Sequence, residues 1–247
     1  MGAAEGPQKA LPLAGEVFSV GGKVAFAMVP PEAAAGKRPW VWYAPTLPGL
    51  PAEEEKWMFE RFQKAGLAIV GIDVGESYGS PEGRAAFAAL YGELTERRGF
   101  AAKGVLLGRS RGGLMGLSWA AENPDKVAGF AGIYPVCNLA SYPGLERASG
   151  AYHLTAEELG VHLKEHNPID RLEGLARAGV PLFAIHGDRD EVVPLAANSQ
   201  LVCDRYRALG GKMELVVPEG QGHNMWPGFF QSEALVAFVI REARAGR

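Results

Sequence analysis

The stretch of sequence that decides the fold runs from Val105 to Glu122 and reads VLLGRSRGGLMGLSWAAE. Its first apolar residues predict a short buried strand, and the segment from Gly112 onward predicts a helix that ends before Pro124. Between them, a Gly-X-Ser-X-Gly pattern places Ser110 in a tight turn from strand to helix. In this context the pattern is typical of a nucleophile elbow, in which the glycines make room for the backbone and the serine hydroxyl points outward.

A serine hydroxyl is a weak nucleophile unless a histidine takes its proton and a carboxylate orients that histidine. Both residue types occur later in the chain, directly after predicted strands: HGDRDEVVP begins at His186, and GQGH ends at His223. The order of serine, acid and histidine predicts His223 as the base. Three candidates for the acid lie together, namely Asp188, Asp190 and Glu191, whereas the strand predicted to end at Val136 is followed by no carboxylate.

The rest of the sequence alternates apolar strands with helical patterns. This alternation predicts an α/β fold with a mainly parallel, twisted sheet and helices on both faces, whose ligands bind beyond the carboxyl ends of the strands. Residues 138–180 are longer and more mixed, and we expect them to form a short cap-like insertion within a single domain that spans residues 1–247. Predicted strands and helices are a hairpin around Gly21-Gly22, strands Trp40–Ala44, Leu67–Val74, Val127–Val136, Leu182–Ile185 and Met213–Val217, and helices Glu53–Lys64, Ser80–Gly99, Asn198–Leu209 and Glu233–Arg244.

Composition excludes several classes of function. Twenty-five Lys and Arg residues against 28 Asp and Glu residues give a net charge of −3, too mild for nucleic-acid binding. No apolar run reaches the roughly 20 residues that span a bilayer. Cys137 and Cys203 are expected to be free, buried thiols. Because Met1 to Leu13 show no signal-peptide pattern, a cytoplasmic location is favoured, and a secreted or periplasmic one stays open if a signal peptide has been removed. The oligomeric state is left open.

With these motifs, the chain resembles the α/β-hydrolase superfamily, and within it the small esterases related to dienelactone hydrolases and to the catalytic domain of prolyl oligopeptidases. The resemblance covers roughly Trp40 to the C-terminus and rests on GRSRGG, HGDRDEVVP and GQGH together. It implies Ser110 as nucleophile, Asp190 as acid and His223 as base. We expect Asp188 to cap its loop by bonding to backbone amides. The chain departs from dienelactone hydrolases by having serine rather than cysteine at the elbow, and we expect no propeller domain.

An oxyanion hole requires two hydrogen-bond donors. One is expected to be the backbone amide of Arg111, which follows the nucleophile, and the other an amide of the loop after strand Trp40–Ala44. This loop lacks the His-Gly-Gly-Gly of many esterases, and Pro45 cannot donate. Thr46 and Leu47 are therefore the candidates, with the Tyr43 hydroxyl as a further possibility because prolyl-oligopeptidase relatives use a tyrosine near this region.

Other side chains are candidates for substrate binding because they lie at or beyond strand ends. The aromatic ones could stack on a substrate or pack the cap. Arg109 and Arg111 either attract an anionic substrate or pair with Glu76 or Asp188. His162 and His166 have a spacing that metal ligands use, but no carboxylate pattern accompanies them, so no metal site is expected. The candidate substrate-binding residues are Tyr43, Glu76, Tyr78, Arg109, Tyr134 and Trp226.

Taken together, the sequence predicts a serine hydrolase that cleaves carboxylic esters of small substrates through an acyl-enzyme and needs no cofactor. A serine peptidase or an acyltransferase would use the same residues. A ligand-binding protein of this fold without catalysis is the alternative from a different class, which the complete set of Ser110, Asp190 and His223 disfavours.

Overall fold

Eight strands form one sheet in the part of the chain that the computed structural model describes, residues 6–31 and 36–246. Their order across the sheet is β1-β2-β4-β3-β5-β6-β7-β8. The first two pairings of this order are antiparallel and all later ones are parallel, which confirms the predicted mainly parallel sheet. The strands are β1 (Glu16–Val20), β2 (Lys23–Met28), β3 (Trp40–Tyr43), β4 (Ala68–Ile72), β5 (Gly104–Arg109), β6 (Val127–Ile133), β7 (Leu182–Ile185) and β8 (Met213–Val216).

The helices predicted with bounds from the sequence are present among the described residues, and all but one lie within one residue of those bounds. Ser80 caps the second helix by accepting a hydrogen bond from the Gly83 amide, and Pro81 takes its first position. This helix ends at Gly92, earlier than predicted, and a π-helical turn (Glu93–Arg97) continues the chain. The α-helices are α1 (Glu53–Lys64), α2 (Pro81–Gly92), α3 (Gly112–Glu122), α4 (Leu145–Ala148), α5 (Ala156–Val161), α6 (Leu163–His166), α7 (Glu173–Arg177), α8 (Ser199–Ala208), α9 (Pro227–Phe230) and α10 (Glu233–Ala245).

The central strands are apolar throughout because both faces of the sheet are covered. Along β3, Trp40 and Trp42 point into one hydrophobic cluster, while Val41 and Tyr43 point into the cluster on the opposite face. All four side chains are buried. This alternation explains why the strand reads as a continuous apolar run.

The insertion between β6 and β7 contains the short helices α4 to α7. Thr155 and Glu158 form the predicted capping box at the start of α5. A small hydrophobic cluster holds the insertion against the body, and it includes Tyr152, Leu159 and Leu114 of α3. Because α3 follows the serine turn, the insertion lies beside that turn.

The sixth strand departs from its prediction. It ends at Ile133 rather than Val136, because Tyr134 has a φ of 34°, in the left-handed region that ends strand pairing. Cys137 and Cys203 are both free and buried, as predicted.

No helix of the described residues is long and apolar enough to cross a membrane. Residues 1–5, part of the N-terminal segment without a signal pattern, lie outside the described residues.

Candidate active site

The turn between β5 and α3 has the geometry that the Gly-X-Ser-X-Gly pattern predicts. Ser110 has a φ of 50°, a conformation that side-chain-bearing residues rarely adopt. A Cβ atom on Gly108 would lie 2.8 Å from the carbonyl oxygen of Gly112, and one on Gly112 would lie 2.8 Å from that of Ala44. Both positions therefore require glycine, and Ser110 is held in a strained turn at the end of a buried strand.

Three side chains from three different loops meet at this turn. The Oγ of Ser110 lies 3.0 Å from Nε2 of His223, and Nδ1 of His223 lies 2.7 Å from Oδ2 of Asp190. Since Nδ1 donates to the carboxylate, Nε2 is left to accept the serine proton. The structure thus brings Ser110, His223 and Asp190 together in the arrangement of a serine, base and acid.

Asp190 is the carboxylate that reaches His223, and its neighbours have other surroundings. Its Oδ1 accepts hydrogen bonds from the amides of Val192 at 3.0 Å and Val193 at 2.8 Å. Burial raises the pKa of Asp190, but hydrogen bonds from His186, His223 and the Val193 amide outweigh burial and hold the pKa well below its ordinary value. Asp190 therefore stays ionised at neutral pH.

Asp188 accepts a hydrogen bond from the Gly220 amide at 2.6 Å, in a loop-capping position. Glu191 is exposed. Neither carboxylate is paired with His223 in the described residues.

His186 is a second histidine in contact with Asp190. Its Nε2 lies 2.8 Å from the carbonyl oxygen of Val193 and 3.3 Å from Oδ2 of Asp190, and its Nδ1 lies 2.8 Å from Oγ of Ser199. Because both neighbours of Nε2 are acceptors, Nε2 carries a proton. His186 is fully buried, so this contact fixes the position of the acid.

The sequence itself assigns the chain to a family. The family model for the prolyl oligopeptidase family matches residues 88–239, more than half of the chain. The chain belongs to the prolyl oligopeptidase family. It is therefore a member of the α/β-hydrolase superfamily, and the matched region contains Ser110, Asp190 and His223. No curated protein matches the sequence.

Solved structures share the α/β-hydrolase fold at low identity. A Mycobacterium tuberculosis puromycin-hydrolysing peptidase superposes with a TM-score of 0.74 and 17% identity over 93% of this chain, which spans only 40% of that protein. Est1E from Butyrivibrio proteoclasticus superposes with a TM-score of 0.71 and 17% sequence identity, and the match covers 93% of this chain and 99% of Est1E. An S-formylglutathione hydrolase from Agrobacterium tumefaciens superposes with a TM-score of 0.68 and 16% sequence identity. This match covers 91% of this chain and 90% of the hydrolase. At such identities the likeness shows the fold alone.

A cavity of about 190 Å³ opens at Ser110. Its lining includes Arg109 and Tyr134 of the predicted substrate-binding residues, and Arg111, Thr46 and Leu47 of the oxyanion candidates. The residues that line it are Thr46, Leu47, Leu50, Arg109, Ser110, Arg111, Tyr134, His223 and Met225.

The backbone around this cavity carries the predicted oxyanion donors. Arg111 is the N-cap residue of α3, so its amide lies at a helix end where amides lack intrahelical acceptors. The amides of Thr46 and Leu47 have no hydrogen-bond acceptor within the described residues. Thr46 is buried and Leu47 is half exposed, and the choice between them stays open.

Tyr43 does not join the other oxyanion candidates. Its side chain is fully buried, and its hydroxyl donates to Oε1 of Glu55 at 2.9 Å. Burial and the negative charge of Glu55 raise the pKa of Tyr43 well above its ordinary value. The hydroxyl is thus committed to a carboxylate away from the cavity.

The remaining predicted substrate-binding residues lie outside the cavity lining. Trp226 is partly exposed and packs edge-on against Phe229, with 5.3 Å between ring centroids. Tyr78 packs under the insertion, where its carbonyl oxygen accepts from the Tyr152 hydroxyl at 2.9 Å. Glu76 reaches the site only through its ion pair with Arg111.

Each arginine beside the nucleophile pairs with a carboxylate. Arg111 lies 2.6 Å from Glu76, one of the two partners weighed from the sequence. Burial raises the pKa of Glu76, with Arg111 opposing the shift. Arg109 lies 2.8 Å from Glu55, a partner that sequence reasoning missed. Burial lowers the pKa of Arg109, but Glu55, Tyr134 and Tyr43 together outweigh burial and raise the pKa above its ordinary value, so the guanidinium stays charged.

The sequence did contain a signal for Glu55. It precedes Met58 and Phe59 by three and four residues and Phe62 by seven, so it lies on the apolar face of α1. A carboxylate at such a position requires a buried partner. Met225 had no comparable signal, because the exposed loop after His223 follows no periodic pattern.

Among residues 6–31 and 36–246, no cluster of three or more His, Cys, Asp or Glu side chains could hold a metal ion. His162 instead pairs with Glu165, with 3.0 Å between Nδ1 and Oε1.

Proposed function

We propose that this serine hydrolase cleaves carboxylic esters of small substrates through an acyl-enzyme on Ser110. The observation that carries the proposal is the chain of hydrogen bonds from Ser110 through His223 to Asp190, at 3.0 Å and 2.7 Å. Such a chain converts a weak hydroxyl nucleophile into a reactive one because the histidine accepts the proton as the bond to carbon forms.

The reaction proceeds in two half-reactions. Ser110 attacks the ester carbonyl while His223 takes its proton, and the amides of Arg111 and of Thr46 or Leu47 stabilise the oxyanion. His223 then gives the proton to the departing alkoxide, which leaves as the alcohol. A water molecule, deprotonated by His223, attacks the acyl-enzyme and releases the carboxylic acid and free Ser110. No cofactor takes part.

Two observations support an ester of modest size. The cavity at Ser110 measures about 190 Å³, below the usual range for drug-sized ligands. Two solved structures similar to this chain over at least nine tenths of both lengths are named as an esterase, Est1E, and as an S-formylglutathione hydrolase. The substrate we propose is a small-molecule ester, without a nucleic-acid or membrane partner.

The hydrolysis of 4-nitrophenyl acetate tests the proposal. We expect turnover by the wild-type protein and a loss of about 10³-fold or more in kcat for Ser110→Ala. Glu191→Gln, which changes an exposed carboxylate next to the acid, is the control and should keep its activity. Equal turnover by Ser110→Ala would exclude the mechanism.

A peptidase is the second candidate, and family membership is the observation that favours it. The same three side chains would act, with an amine rather than an alcohol as the leaving group. Aminoacyl 4-nitroanilides and the corresponding 4-nitrophenyl esters, assayed side by side, distinguish the two. Higher kcat/KM on the anilides than on the esters would favour the peptidase.

A further inference from the structure

Two strong hydrogen-bond donors in the cavity share one poor acceptor. Nη2 of Arg109 lies 3.0 Å from Sδ of Met225, and the hydroxyl of Tyr134 lies 3.9 Å from the same sulfur. A thioether accepts hydrogen bonds only weakly, whereas guanidinium and phenol groups pair best with oxygen. Met225 therefore sits where an oxygen acceptor would satisfy both donors better.

The guanidinium of Arg109 is held so that Nη2 faces the cavity. Its Nη1 donates to Oε1 of Glu55 at 2.8 Å, and its Cζ lies 5.0 Å from the ring centroid of Phe230. The charge of Glu55 is shared with two further donors, the Tyr43 hydroxyl and the Ala52 amide, each at 2.9 Å. Because Glu55 also accepts from these other donors, it neutralises the charge of Arg109 only in part, and Nη2 of Arg109 can still attract a second anion.

Tyr134, the second donor to the sulfur, is also held in place by packing. Its ring centroid lies 4.3 Å from that of His223 and 5.0 Å from that of Phe229. Burial raises the pKa of Tyr134, with Arg109 opposing the shift, so the hydroxyl is protonated and able to donate at neutral pH. Both donors are therefore fixed in place before a ligand arrives.

Met225 itself is able to move. Its residue is 45% exposed and lies in the loop between His223 and α9. An unbranched thioether side chain adopts other rotamers at low cost. Arg111, which follows Ser110 in the sequence, does not offer a comparable donor. Its Nη2 already lies 2.6 Å from a carboxylate oxygen of Glu76.

We propose that Arg109 and Tyr134 form a carboxylate subsite that the Met225 sulfur fills in the free protein. The inference rests on the proposed function and adds the substrate class: esters that carry a carboxylate close to the scissile bond, in the acyl or the alcohol part. The carboxylate displaces the sulfur and accepts hydrogen bonds from Nη2 and from the phenol.

Two matched pairs of esters test the subsite in the wild-type protein. Monoethyl glutarate is compared with ethyl 4-carbamoylbutanoate, and 4-acetoxybutanoate with 4-acetoxybutanamide, by acid release at constant pH. Within each pair, an amide replaces the carboxylate at nearly constant size. We expect kcat/KM to favour the carboxylate about 10-fold in at least one pair, since hydrogen bonds to charged groups are worth more than neutral ones.

Two variants assign the preference to its donors. Tyr134→Phe removes one hydroxyl, and Arg109→Lys keeps the charge that Glu55 needs but loses the planar fork. We expect each to lower the carboxylate-to-amide ratio about 3-fold or more. This ratio does not depend on the fraction of folded protein, because both esters of a pair meet the same sample.

The outcomes separate the subsite from the esterase proposal. Turnover of neutral esters without preference for the carboxylate in either pair would overturn the subsite alone. A wild-type preference that both variants keep would also overturn it. Absence of turnover on every ester, including 4-nitrophenyl acetate, would instead contradict the proposed function.

Discussion

His186 lies against the carboxylate of Asp190, with 3.3 Å between Nε2 and Oδ2, on the same oxygen that His223 approaches to 2.7 Å. The two amides on Oδ1 complete a set of four donors around one buried carboxylate. Such a set fixes both the charge and the direction of the acid. Asp190 is thus held in position by its own loop and by His186.

Asp190→Asn should lower kcat by about 10³ to 10⁴-fold, because a neutral amide no longer selects the His223 tautomer with a proton on Nδ1. Steady-state kinetics on 4-nitrophenyl acetate measure the loss. Asp188→Asn is the matched control, since Asp188 bonds to the Gly220 amide rather than to His223. If Asp188→Asn lost as much activity as Asp190→Asn, the choice of Asp190 as the acid would be wrong.

Ser199→Ala should destabilise the folded protein because it removes a hydrogen-bond partner of His186. The Ser199 hydroxyl is the partner of the buried Nδ1 of His186, and its removal leaves that nitrogen unsatisfied. We expect the free energy of unfolding to fall by about 1–3 kcal/mol and kcat/KM to fall by less than about 10-fold. Urea denaturation measures the first quantity. Ser149→Ala, which removes a hydroxyl at an exposed bond to the Glu146 carbonyl, should change neither quantity measurably.

The stabilising contribution of Asp190 should depend on pH in a defined direction. Because its pKa is lower in the folded protein than the value of about 3.9 in unfolded chains, its contribution is complete above about pH 4 and is lost as the pH falls through the folded value. The difference in free energy of unfolding between the wild type and Asp190→Asn should therefore shrink as the pH falls below about 4. A difference that grows in acid would contradict the assignment.

Gly112→Ala should destabilise the elbow. The added methyl group would meet the Ala44 carbonyl oxygen at 2.8 Å, in a packed backbone crossing that cannot yield easily. We expect a loss of about 1–3 kcal/mol in the free energy of unfolding. Gly160→Ala, in the exposed turn of α5, has only a 3.4 Å contact with Leu145 and should stabilise the protein by about 0.5–1 kcal/mol. Equal effects of both substitutions would contradict the close approach at Gly112.

The parts of the fold and site that the sequence predicted are those with local signals. Ser110 stands in a strand-turn-helix pattern readable within about 18 residues, and the other two members of the set follow strands in a fixed order. The buried face of α1 was likewise readable from its helical spacing. Each of these signals is contained in a short stretch of sequence.

The parts that escaped prediction depend on packing between distant segments. Arg109 and Glu55 are in contact although 54 positions separate them in the sequence, and 116 positions separate Arg109 from Met225. The hydroxyl of Tyr43 points to α1 because that helix covers its face of the sheet. No sequence pattern around Tyr43 predicts which helix covers this face. Tyr134 ends β6 early through a positive φ that a run of apolar residues gives no reason to expect.

The most direct measurement of the central claim, an activated Ser110, is intact mass after reaction with a fluorophosphonate probe. We predict one adduct per chain on the wild type, mapped to Ser110 by peptide analysis, with no adduct on Ser110→Ala and slow labelling of His223→Gln. A folded wild-type protein that acquires no adduct, or acquires one that Ser110→Ala retains, would contradict the account.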